Sequence, residues 1–143
     1  MMTQEDLYRR LVVERARTPM FGGEVEDAQM RGEGTNPLCG DRVRLTASMT
    51  PGGQIAAVRH ETRGCAICAA SADLMAEHVT GHDPAWVAEL GAVFEAMLKT
   101  GHPVEAAGDL AVFAPLHQYR SRIRCATLPW TALTAMLNDL KDR

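Results

Sequence analysis

Four cysteines, at positions 39, 65, 68 and 125, constrain this chain more than any other feature. Cys39 follows Asn36-Pro37-Leu38 and precedes Gly40-Asp41, so proline and glycine force a turn and make the thiol accessible, unlike a core cysteine. Cys65 follows Gly64 where an alternating pattern gives way to a helical one, and the backbone N–H groups of a helix start favour a thiolate ligand. Cys68 is three residues on, one helical turn away and on nearly the same face. Cys125 stands among Arg120, Arg122 and Arg124, whose charge also favours thiolate, although the same arginines suit an ordinary solvated helix face. Gathered thiolates prefer zinc, copper(I) or an iron–sulfur cluster to hard cations, and a carboxylate such as Asp41 beside them keeps a site suited to zinc and easy to open.

The 143 residues, 46% of them apolar, are enough for one compact core without disulfide staples, so a single domain over residues 1–143 is expected. Met1 to Asp6 is polar and acidic, with neither a basic leader nor a long apolar run, which predicts no signal peptide, no membrane span and a cytoplasmic setting. In a reducing compartment cysteines serve as ligands or reactive thiols rather than as disulfides. A net charge of −3, with no face swept basic, argues against a nucleic-acid partner.

Leu7, Leu11 and Val12 recur at helical spacing between charges, and Thr3 with Asp6 forms a capping box, which predicts an amphipathic helix from Thr3 to Arg17. Residues 18–40 are rich in glycine, with Pro19 and Pro37, and read as loop with a short edge strand over Val25 to Met30. Val43 to Met49 and Gln54 to Thr62 alternate around Thr50-Pro51-Gly52-Gly53 and predict a hairpin. A helix then starts near Cys65 and stops at Gly81, and a second runs from Asp83-Pro84 to Gly101. Gly108 to Pro115 reads as a short helix or irregular segment, and a last helix covers Gln118 to Leu140, with Pro129 bending it or starting a new segment. The expected fold class is α+β, a small antiparallel three-stranded sheet packed with segregated helices.

Cys65-Ala66-Ile67-Cys68 alone is ambiguous, because Cys-x-x-Cys serves both zinc knuckles and thiol–disulfide exchange. A thioredoxin-like reading needs a parallel βαβ unit before the motif, where this chain has a hairpin, and a zinc ribbon needs a second Cys-x-x-Cys. His60, His78, His82, His102 and His117 show no ligand spacing and are expected at the surface.

Three separated segments together resemble the U-type iron–sulfur cluster assembly family: Asn36-Pro37-Leu38-Cys39-Gly40-Asp41-Arg42, Gly64-Cys65-Ala66-Ile67 with Ala70-Ser71, and Arg124-Cys125-Ala126-Thr127-Leu128-Pro129-Trp130. The likeness covers nearly the whole chain and is nearer the SufU-like than the IscU-like branch. Arg124 stands where the IscU-like branch usually has a histidine ligand, and the helical stretch before Cys125 is extended. The resemblance implies a SufU/IscU-like fold and a zinc site made by Cys39, Asp41, Cys65 and Cys125. It implies as partner a pyridoxal-phosphate-dependent, SufS-like cysteine desulfurase, with Cys39 as sulfur acceptor and Asp41 as the exchangeable ligand, and apo iron–sulfur proteins as further recipients. Cys68 departs from the family, which has serine or another small residue there. It is expected in the core as a serine substitute, with replacement of Asp41 on the metal as the alternative. The competing readings are a scaffold that builds iron and sulfide into a [2Fe–2S] cluster on the same ligands, a zinc-stabilised interaction module, and a metal-free oxidoreductase using Cys65 and Cys68.

Overall fold

The computed structural model describes residues 3–38 and 40–141, with the side chains of residues 4, 140 and 141 left aside. Alternation in the middle of the chain produces its sheet. β1 (Met30–Asn36), β2 (Asp41–Met49) and β3 (Ile55–Arg63) pair antiparallel in the order β1-β2-β3. Val43, Leu45, Ala47, Ile55 and Val58 point into the core, while Arg44, Arg59, Glu61 and Arg63 face solvent. Thr50 closes the hairpin expected between β2 and β3, its Oγ1 accepting from the Gln54 amide and its carbonyl from Gly53.

The first strand lies elsewhere than expected, over Met30–Asn36 instead of Val25 to Met30. Gly32 and Gly34, read in the sequence as loop formers, are strand residues under the last helix. A Cβ on Gly32 would lie 2.9 Å from Met136 Cβ and 3.1 Å from the Ala132 carbonyl, and one on Gly34 would lie 3.2 Å from Ala132 Cβ. Glycine in a strand here marks close approach of a neighbouring backbone rather than a turn. Val25 is buried nonetheless, its amide donating to Thr46 Oγ1 at 2.8 Å.

The helix starts and stops follow local chemistry closely. α1 (Gln4–Arg17) carries the Thr3–Asp6 capping box, Asp6 N donating to Thr3 Oγ1 at 3.1 Å and Thr3 N to Asp6 Oδ2 at 3.2 Å. α2 (Ala66–Val79) has Cys65 as its N-cap, and α3 (Pro84–Thr100) runs from the Asp83 cap and Pro84 to Gly101, which takes the left-handed conformation at φ 76°. Residues Glu105–Gln118 form 3-10 turns interrupted at Gly108, and α4 (Arg120–Lys141) continues through Pro129 as one helix. Pro129 has no N–H to donate to the carbonyl of Cys125, so the ladder is weakened at the turn that carries this cysteine.

α2 is buried almost all round, from Cys68 through Ala70, Ala72, Leu74, Met75 and Ala76 to Val79, and packs between α1, α4 and β3. A helix apolar on every face belongs in a core. Tyr8, Phe113, Phe94 and Trp130 extend this core in a chain of ring contacts.

One buried polar cluster locks the elements together. Asp73, in the middle of α2, accepts from Arg15 Nε at 2.6 Å, from the amides of Met20 and Phe21 at 3.0 and 2.8 Å, and from His60 Nε2 at 2.9 Å. His60, expected at the surface, is therefore a buried residue of β3, because this carboxylate and Thr62 Oγ1 satisfy its two ring nitrogens. Burial alone would raise the Asp73 carboxyl, but the hydrogen bonds from His60, Arg15, Phe21 and Met20 outweigh it and bring its pKa down to about 2. Among the described residues no helix is long and apolar enough to cross a membrane.

Candidate metal centre

Three elements end at one place. β2 begins with Asp41, α2 is capped by Cys65, and α4 carries Cys125 near its start. The ligand atoms of these three residues all lie within 4.8 Å of one another. Cys39, the fourth residue of the expected set, lies outside the described residues; its chain neighbour Leu38 is 79% exposed.

Asp41 is held from two sides. The Cys65 amide donates to its Oδ1 at 3.1 Å and the Cys65 thiol to its Oδ2 at 3.5 Å. This fit depends on Gly64, whose backbone takes φ 141° and whose missing Cβ would overlap the Asp41 carboxylate and lie 3.0 Å from its Cα. Only glycine allows the carboxylate to lie flat against the strand-to-helix junction at that φ. The Gly-Cys pair read as a helix start is thus also the carboxylate's seat, a role that required the paired strands to be seen, since Asp41 lies 24 residues before Cys65.

Cys65 caps α2 with its sulfur, which accepts from the Cys68 amide at 3.4 Å. That contact satisfies one of the free amides of a helix start and favours electron density on the sulfur. Cys68 is fully buried among the core residues and stands outside the trio. Cys125 is placed from α2 as well: Ser71 donates to the carbonyl of Ala126 at 2.6 Å, tying the two helices beside the site. The serine quoted within the second motif therefore has a positioning role that no spacing argument revealed.

The expectation that arginines would make Cys125 a thiolate is corrected. Arg120, Arg122 and Arg124 are exposed, whereas Cys125 turns inward and is 8% exposed. Burial pushes its thiol well up, and Asp41 and Cys65 beside it push in the same direction, so by itself it stays protonated. Arg122 instead stacks over the Tyr119 ring, 4.8 Å from its centroid. Leu38, Ile67, Arg122 and Arg124 join Cys65 and Cys125 around a cleft of about 330 Å³ that opens the two thiols to solvent.

Two soft thiolates and a hard carboxylate suit zinc, a borderline cation that takes both. Sulfur ligands of a tetrahedral zinc stand about 3.7 Å apart, so atoms already within 4.8 Å need only a small contraction to close on one ion. The donor set fits the metal that the residues imply.

Residues 7–126 match the NifU-like N-terminal domain. The chain belongs to this family. It is 30% identical over 131 residues to the zinc-dependent sulfurtransferase SufU of Bacillus subtilis, covering 90% of this chain and 88% of that protein. It is 27% identical over 135 residues to the iron–sulfur cluster assembly scaffold protein IscU of Thermotoga maritima, covering 94% of each. The crystal structure of FiSufU, a SUF-system protein of Fervidobacterium islandicum AW-1, superposes with a TM-score of 0.84 at 30% identity, covering 92% of this chain and 96% of that one. The α+β fold and the place in an iron–sulfur cluster assembly family follow from these likenesses.

Proposed function

We propose that this chain is a single SufU/IscU-like domain over residues 1–143 that accepts sulfur from a SufS-like cysteine desulfurase at a zinc site of Cys39, Asp41, Cys65 and Cys125. The observation that carries the reading is the meeting of Asp41, Cys65 and Cys125 from three elements within 4.8 Å. The name of the Bacillus subtilis relative adds support for zinc and for sulfur transfer. The reaction is placed in the cytoplasm, where thiols stay reduced.

Zinc, when bound, holds cysteine ligands as thiolates at neutral pH and brings no redox chemistry. The chain supplies the rest. Gly64 and the Cys65 amide hold the Asp41 carboxylate, the weaker partner of a soft metal, in an adjustable position. The Ser71 bond keeps Cys125 in place beside Cys65. Cys39 would be among the residues that hold the zinc, which would keep it as thiolate, and that thiolate would attack the outer sulfur of the partner's persulfide. A new S–S bond forms on Cys39, the partner's S–S bond breaks, and the partner cysteine departs as thiolate. Arg122 and Arg124 at the rim of the cleft, with exposed Arg120 nearby in sequence, suit an acidic partner surface, so association should weaken as salt is raised.

Cys39→Ala should abolish the stimulation of desulfurase turnover with cysteine as substrate while leaving the fold intact; normal stimulation would refute the assignment. The names of IscU relatives favour a second reading, in which the same residues hold a [2Fe–2S] cluster for transfer to apo-proteins. Anaerobic reconstitution with iron and sulfide, followed by transfer to an apo-ferredoxin, separates the two by visible absorption.

A further inference from the structure

Cys68 is left without a task by the function above, although it stands one turn from a site thiol. We propose that Cys65 and Cys68 form a reversible disulfide when the site is without metal and meets a peroxide, so that Cys65 is the oxidation site and Cys68 its resolving thiol. The proposal concerns regulation of the site just described and rests on that reading only for its consequence, loss of a ligand; the disulfide itself depends on the two cysteines alone.

Several observations select this pair. Cys65 is partly exposed and lines the cleft of about 330 Å³, so a small peroxide reaches it. Cys68 is fully buried, so no oxidant reaches it directly and its route to oxidation runs through Cys65. The Cys65 sulfur already lies over the first turn of α2, accepting from the Cys68 amide at 3.4 Å. A helical side chain leans back toward the helix N-terminus, which carries the Cys68 sulfur toward Cys65. Cys65 is the extended N-cap of α2 and Cys68 its third residue, so the first turn has to bring their Cβ atoms to the roughly 3.5–4.5 Å that a disulfide needs. Cys125 also lies near Cys65, its sulfur within the same 4.8 Å, and is the competing partner that peptide mapping distinguishes.

The chemistry balances with the peroxide as oxidant. The Cys65 thiolate attacks the peroxide, the O–O bond breaks, and Cys65 becomes a sulfenic acid as hydroxide departs. The Cys68 sulfur then attacks the Cys65 sulfur, the S–O bond breaks, and the Cys68 proton leaves with the hydroxyl as water. A thiol reductant reverses the linkage by exchange. With no resolving thiol the sulfenic acid attacks a second peroxide, its O–O bond breaks with loss of water, and sulfinic acid forms, which the reductant does not restore. Serine at this position could not provide that protection.

The test treats metal-free protein with a several-fold molar excess of hydrogen peroxide, blocks the remaining thiols and maps the tryptic peptide Gly64–Lys99, which holds both cysteines and no internal lysine or arginine. The expected result is this peptide lighter by two hydrogens, unblocked at both cysteines, and returned to two blocked thiols after dithiothreitol treatment. In Cys68→Ser the same treatment should leave Cys65 largely sulfinic, with most of the dithiothreitol-recoverable thiol lost. Linkage of Cys65 to Cys39 or Cys125 in the wild-type chain, or equal recovery of Cys65 in wild type and Cys68→Ser, would overturn the proposal. Prior loading with zinc should suppress the linkage; formation at an equal rate with and without zinc would leave the pair standing and remove Cys65 from the ligand set.

Discussion

Two buried aspartates divide the work of this molecule. Asp73 accepts a guanidinium, two backbone amides and an imidazole, and its carboxylate is complete within the protein. Asp41 is equally buried, yet its neighbours in the trio are thiols, which contribute electron pairs rather than positive charge. A carboxylate paired with an arginine holds elements in place, whereas a carboxylate grouped with thiols is arranged for a cation that comes from outside. The first cluster clamps α1, α2 and β3; the second lies where β2, α2 and α4 begin, and α2 links them.

The sharpest way to break this division is to remove one charge from each cluster. Asp73→Asn should lower the stability of metal-free protein by about 3 kcal/mol, since it breaks a buried ion pair and leaves Glu77 as the carboxylate beside the Arg15 guanidinium. Asp41→Asn should cost less than about 1 kcal/mol in the same urea titration, because an amide oxygen still accepts from Cys65 N, but it should weaken zinc binding in a chelator competition. Equal stability losses in the two variants would erase the distinction.

Gly64→Ala comes next. A methyl group at φ 141° in contact with Asp41 should cost about 2 kcal/mol and displace the carboxylate, lowering the melting temperature and zinc affinity together. An unchanged affinity would show that Asp41 does not need its seat.

Acid should act first through Asp73. Its folded pKa of about 2 lies below the ordinary 3.8, so its contribution is fully present above pH 4 and is lost as pH falls toward 2. The shift corresponds to about 2 kcal/mol, readable as the amount by which the difference between wild type and Asp73→Asn narrows in denaturation series from pH 5 to pH 2. A difference that stays constant across that range would contradict the assignment. Ser71→Ala loses the bond to Ala126 and should cost about 1 kcal/mol while slackening Cys125 against Cys65.

Much of the architecture was legible because its signals are local. The Thr3–Asp6 box, the Asp83-Pro84 start, the Gly101 stop and the hairpin around Pro51 each depend on backbone preferences within a few residues. The cysteine segments stood out because proline, glycine and cysteine together are uncommon outside functional turns. The first strand was not, because the glycines of β1 answer to Met136 and Ala132, about a hundred residues away. His60 was missed for the same reason, its partner Asp73 lying on another element.

The sequence by itself determined where helices begin and end, which thiols stand in reactive contexts, and the family to which the chain belongs, since all three reside in short runs of neighbouring residues. The tertiary structure alone decided which cysteines meet. It seats Asp41 against Gly64, turns Cys125 inward away from its arginines, and leaves Cys68 in the core behind Cys65. Distance and burial are properties of packed elements, and no run of neighbouring residues encodes them.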